Sequence, residues 1–211
     1  MTAVTEPSYR RRIGYQAGLL GGFTLLATTF LVMGNLATQE AIEQCHQEDL
    51  RASLAQVIPA ARHDNDLLAA ALTLTGPDAE PRTVYRARQD GVITAVAYQV
   101  SGPGYGGPIE ILLGLDRRGR ILGARVLSHS ETPGLGDKIE AARSDWIREF
   151  TGLSLGEPPA RQWAVQKDGG RFDQFTGATI TPRAVVNAIK GGLQWFADQR
   201  QHLLNDFAEA S

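Results

Sequence analysis

The sequence predicts an α+β protein: one N-terminal transmembrane helix, then a mainly antiparallel sheet domain with helices laid on it. Three observations carry that expectation. From Ile13 to Gln39 there is no charged residue. Between residues 82 and 129, β-branched and partly alternating runs are separated by turn chemistry such as Asp90-Gly91. Beyond residue 180, an apolar-periodic stretch opens on Thr181-Pro182, a matched pair of helix-start signals.

The membrane helix comes first in the chain. A span of the hydrocarbon core takes about 20 apolar residues, and "IGYQAGLLGGFTLLATTFLVMG" supplies them. Arg10, Arg11 and Arg12 precede it, and no Lys or Arg follows until Arg51. That bias places the N-terminus in the cytoplasm and the rest across the membrane. The run is longer than a signal-peptide core and no A-x-A site follows it, so a retained anchor is expected. The expected organisation is residues 1–12 cytoplasmic, 13–36 transmembrane, 37–80 a helical juxtamembrane segment, and 81–211 an α+β domain. Residues 1–36 carry net +2, which leaves −4 for the remainder of a chain of net charge −2. A mildly acidic domain without a basic stripe argues against a nucleic-acid partner. Cys45 is the only cysteine, which excludes an internal disulfide or a multi-Cys metal site; a half-buried place on a helix is expected for it.

Residues 38–58 read as a helix ended by Pro59, and "HDNDLLAAAL" as a short helix or loop. The runs around Asp90-Gly91 form a hairpin. Strands follow at 108–116 and 121–129, joined by "RRGR". A helix is expected from Asp137 to Phe150, with Asp137 as cap and Glu140 three residues on. "WAVQKDGGRFDQF" reads as a short strand with a turn at Asp168-Gly169-Gly170. The last helix is expected to start at Thr181-Pro182 and to run to about Phe207.

Three Gly-rich loops interrupt this pattern, at 101–108, 128–138 and 168–179. One such loop is an ordinary turn. Three in a domain of this size point to a ligand pocket. The third leads straight into a helix N-terminus, where free N–H groups and the dipole favour an anion. A phosphate near Thr179 is the physical expectation. Ser128, His129, Ser130 and Glu131 offer nucleophile, base and acid, but neighbours on a strand face opposite ways and cannot assemble a relay. His46, His63 and His202 lack metal-ligand spacing, and no metal is expected.

D-x-x-T-G-A-T at 173–179 resembles the motif of proteins that carry FMN on a threonine through a phosphoester. "SETPGLGDKIE…SDWI" and "KDGGRFDQFTGATITPRAVVNAIK" closely resemble the G subunit of the Rnf (Rsx) ion-translocating electron-transport complex. With the anchor, the resemblance covers nearly the whole chain. The C subunit of the sodium-translocating NADH:quinone reductase is the related alternative; its acceptor motif usually reads S-G-A-T.

The resemblance implies an FMN-binding domain and an electron relay in a complex that couples NADH/ferredoxin electron transfer to movement of Na⁺ or H⁺. It implies covalent FMN on Thr179 and cofactor contacts from Glu131, Thr132, Pro133, Leu135, Gly136, Thr176, Gly177 and Ala178. A flavin transferase would recognise Asp173 during maturation. The partners implied are the A, B, C, D and E subunits of the Rnf complex and the membrane. The location implied is the inner (cytoplasmic) membrane, with the C-terminal domain in the periplasm. Lys138 and Lys167 read as solvated surface lysines. A cofactor-free, membrane-anchored assembly module is the remaining alternative.

Overall fold

A computed structural model describes residues 13–76 and 81–205, the side chain of Glu40 excepted. Residues 1–12, expected in the cytoplasm and including Arg10–Arg12, and Phe207 lie outside the described residues. The chain divides into two compact units, Met1–Asp49 and Leu50–Ser211.

The first unit holds most of α1 (Ile13–Val57), the one helix among the described residues long and apolar enough to cross a membrane. Its threonines do not leave hydroxyls open to an apolar surrounding. Thr24, Thr28 and Thr29 each donate to the carbonyl four residues back, at 2.9, 2.8 and 2.8 Å. Cys45 is exposed, not half-buried as its helical spacing suggests.

The second unit is built on a five-stranded antiparallel sheet in sequence order: β1 (Ala71–Thr75), β2 (Pro81–Gln89), β3 (Val92–Pro103), β4 (Pro108–Asp116) and β5 (Ile121–Ser128). Asp90 (φ 53°) and Gly91 (φ 76°) form the two-residue turn between β2 and β3. Two positive φ values suit the right-handed twist of the flanking strands. β1 occupies residues expected in the helical segment. "ALTLT" alternates exposed and half-buried side chains, so pairing with β2 wins over the weak helical pattern of "LLAAAL".

Each sheet face has its own core. The last turn of α1 and the residue after it place Leu54, Val57 and Ile58 over Ala87, Ala95, Ala97 and Leu112. α2 (Ile180–Leu204) covers the other face, burying Val185, Ile189, Leu193 and Phe196 against Val96, Tyr98, Val100 and Leu113. The Tyr98 hydroxyl donates to the Gly192 carbonyl (2.8 Å), and burial pushes its pKa far up.

Two expected elements are replaced. Residues 137–150 form two short 3₁₀ turns, Asp137–Ile139 and Trp146–Phe150, not one helix. Glu140 is extended (ψ 134°), and the Ser144 hydroxyl donates to the Lys138 carbonyl (2.6 Å). Local side-chain bonds here compete with the helical ladder. Residues 163–175 make no strand. They fold back on themselves around Gly169 (φ 80°), and Val165 and Phe172 form one isolated bridge. Trp146, Phe150, Trp163, Phe172 and Phe175 share one aromatic cluster, with Phe150 and Phe172 stacked at 4.5 Å. That cluster fixes the base of the third Gly-rich loop.

Candidate functional site

All three Gly-rich loops meet at one cavity of about 320 Å³ at the N-terminus of α2, a size typical of small-molecule sites. Its lining is Tyr105 from the first loop, Glu131, Thr132, Leu135 and Gly136 from the second, and Gly177, Ala178 and Thr179 from the third. Ile180 and Thr181 complete it from α2.

The third loop reaches the cavity through a tight turn. Ala178 N–H donates to the Phe175 carbonyl (3.1 Å), and Gly177 sits at φ 83°, a conformation that costs other residues about 1–2 kcal/mol. A side chain at Gly177 would lie 3.6 Å from Leu135 Cδ2, so the second and third loops touch here. α2 begins at Ile180, which puts Thr179 and not the expected Thr181 at the N-cap position. The Thr179 hydroxyl makes no capping hydrogen bond. Thr181 turns away from the cap role because its buried hydroxyl donates to Glu131 Oε2. Pro182 remains in the first turn, where its missing N–H has no intrahelical acceptor to lose.

The second loop is closed by Leu135 and Gly136 N–H groups donating to the Thr132 carbonyl (3.1 and 3.0 Å). Asp137 accepts from Gly134 N–H (2.8 Å) instead of starting a helix. Glu131 is only 5% exposed and ties the first and second loops to the start of α2. Its Oε1 accepts from Gly106 N–H at 2.9 Å, and its Oε2 accepts from Thr181. The backbone N–H of Glu131 donates to His129 Nδ1 (3.1 Å), and His129 Nε2 lies 2.8 Å from Glu140 Oε1. An accepting Nδ1 assigns the imidazole proton to Nε2. His129 thus buttresses the second loop and does not face the cavity lining.

Two sequence candidates stand outside that lining: Pro133 and Thr176 are exposed beside it. Asp173 is exposed too, with its carboxylate accepting from Gln166 Nε2 and its carbonyl accepting from Trp146 Nε1 (3.0 Å). Lys138 Nζ lies 6.0 Å from the Phe175 ring centre. Tyr105, Ile180 and Thr181 line the cavity without any local sequence signal for that role. Gly106 of the first loop is tied to the second by Glu131, 25 residues downstream.

These residues fit a flavin nucleotide. Tyr105, Leu135 and Ile180 are 73%, 44% and 45% exposed, so three large apolar side chains open onto one cavity beside a helix N-terminus. Apolar walls suit a flat aromatic ring, and unpaired N–H groups of the first turn suit a phosphate. Among the described residues no group of three or more His, Cys, Asp or Glu could hold a metal ion.

Fold and cavity together define a domain of the FMN-binding class behind a helix apolar enough to cross a membrane. The FMN-binding domain family matches residues 104–194, a span containing the whole cavity lining. The G subunit of the ion-translocating oxidoreductase complex of Stutzerimonas stutzeri is 51% identical over 192 residues, covering 91% of this chain and 84% of that protein. The corresponding G subunit of Cereibacter sphaeroides is 52% identical over 186 residues, covering 88% and 85%. A crystal structure of Shewanella oneidensis NqrC is 24% identical and covers 66% of this chain and 74% of its own, with a TM-score of 0.48. The chain belongs to the family of ion-translocating oxidoreductase complex G subunits.

Proposed function

We propose that this chain is the electron-carrying subunit of a membrane complex that couples NADH/ferredoxin electron transfer to ion translocation, with FMN held as a phosphoester on Thr179. The observation that carries the reading is the uncapped Thr179 hydroxyl at the mouth of an apolar cavity and at the start of a 25-residue helix. FMN supplies reversible uptake and release of electrons. The chain supplies the tether, the apolar walls and the electrostatics.

In the attachment step the Thr179 hydroxyl attacks the phosphorus of a flavin nucleotide. The Oγ1–P bond forms as the bond from phosphorus to the donor's leaving group breaks, and the hydroxyl proton passes to a base of the transferase. The product diester carries one negative charge, which the α2 N-terminus offsets by about 0.3–1 kcal/mol. Leu135 and Ile180 keep water from the ring, and Ala178 and Gly177 leave room beside the tether. Asp173, exposed six residues before Thr179 in the same loop, serves recognition by the transferase and not contact with the ring. The arginines at 10–12 hold the N-terminus in the cytoplasm, which sets the domain in the periplasm beside the remaining subunits of the complex.

The test is in-gel flavin fluorescence of denatured protein from the native membrane. Wild type and Thr176→Val should fluoresce and Thr179→Val should be dark with its fold intact. Fluorescent Thr179→Val with dark Thr176→Val would move the acceptor to Thr176. A dark wild type would leave the assembly-module reading.

A further inference from the structure

We infer that Tyr105 covers the outer side of the flavin pocket, laying its ring against the isoalloxazine; this rests on the reading of the cavity as an FMN site. Among the described residues outside α1, the large exposed apolar side chains are Val92, Tyr105, Leu135, Leu155 and Ile180. Three of these five open onto the one cavity, and Tyr105 is the most exposed of them. Scattered apolar exposure needs no explanation, whereas convergence on one cavity does.

Tyr105 is also held in place. Gly104 N–H donates to the Gly107 carbonyl (2.9 Å), and Gly106 N–H donates to Glu131 Oε1 (2.9 Å). The loop lies so close to the second loop that a side chain on Gly106 would come within 2.0 Å of the Ser130 carbonyl oxygen. Clamped on both sides of residue 105, the loop presents one aromatic side chain at the cavity rim. The phenol has no hydrogen-bond partner among the described residues, so the ring is free to lie flat on a ligand. A tyrosine brings about 150–250 Å² of surface to such a contact and prefers offset stacking on another π-system. Its effect is to limit water at the ring without touching the attachment chemistry at Thr179.

The test uses full-length, flavin-loaded protein purified from its native membrane, with acrylamide as a neutral quencher of flavin emission. Bound ligands are normally about 70–90% covered, so uncovering one ring face in Tyr105→Ser should raise the acrylamide quenching constant at least about twofold. Tyr105→Phe should match wild type, since the ring and not the hydroxyl gives the cover. Flavin content should be equal in all three. Unchanged quenching in Tyr105→Ser at full flavin content overturns this inference alone. Phe behaving like Ser overturns it as well, and so does a selective loss of flavin from Tyr105→Ser, which would put Tyr105 in loading. A wild type without flavin overturns the proposed function and this inference together.

Discussion

Replacing Glu131 with Ala should unfasten the first and second loops from the start of α2, and the structure says which lost bond dominates. Glu131 accepts from two donors, Gly106 N–H and the Thr181 hydroxyl. Gly106 is exposed, so water can replace the carboxylate there. Thr181 is buried, and its hydroxyl would be left without an acceptor at a cost of about 1–3 kcal/mol. Lost contacts of the glutamate stem bring the expected total to about 2–4 kcal/mol. For a domain of this size that lowers Tm by about 4–15 °C. Glu131→Gln keeps an acceptor for Gly106 and a donor for the Thr181 oxygen, so it should lose only the charge assistance, about 1 kcal/mol. The assay is denaturation of wild type, Glu131→Ala, Thr181→Val and the double variant. Because the two groups share one bond, the double variant should be less destabilised than the sum of the singles by about 1–3 kcal/mol. Additive effects, or a Glu131→Ala change within about 0.5 kcal/mol of wild type, would refute the joining role.

Two further outcomes are expected. Arg183 donates to both oxygens of Asp168 at 2.6 and 2.9 Å and holds that carboxyl below its usual value of 3.8. A depressed folded value means the pairing contributes fully above 3.8 and fades as pH falls through the folded value, so the stability gap between wild type and Asp168→Asn should be present at neutral pH and close in strong acid; a gap that widens in acid contradicts the assignment. An alkaline phosphatase fused after Ser211 should be active, and neutralising Arg10, Arg11 and Arg12 should weaken that orientation; an inactive fusion beside a working cytoplasmic reporter at the same site reverses the topology.

The elements legible in the sequence are those whose signals are local. Asp90-Gly91 marks the hairpin because both residues take positive φ, which suits the twist of the flanking strands. The long uncharged apolar run of α1 and the alternation of the β-branched strands are likewise local signals. Asp137 and Glu140 have the spacing of a helix start, yet Asp137 bonds backward to Gly134 and Glu140 meets His129, eleven residues upstream. A local turn takes one cap residue and a more distant histidine the other, and no α-helix forms. Thr181 has the sequence signature of a cap and misleads for the same reason, its real partner lying fifty residues away. At the site, the Thr-Gly-Ala-Thr turn and the Glu-Thr-Pro-Gly-Leu-Gly loop are readable as motifs. Tyr105 and Ile180 are not, because their relevance depends on where three distant loops meet.

Whether Thr179 carries the flavin is tested most directly by tandem mass spectrometry of the protein from its native membrane. A proteolytic peptide spanning Asp173 to Arg183 should carry the mass of FMN less one water, with fragment ions placing the addition on Thr179. An unmodified peptide from protein that releases free flavin on acid treatment, or fragments placing the addition on Thr176, would contradict the account.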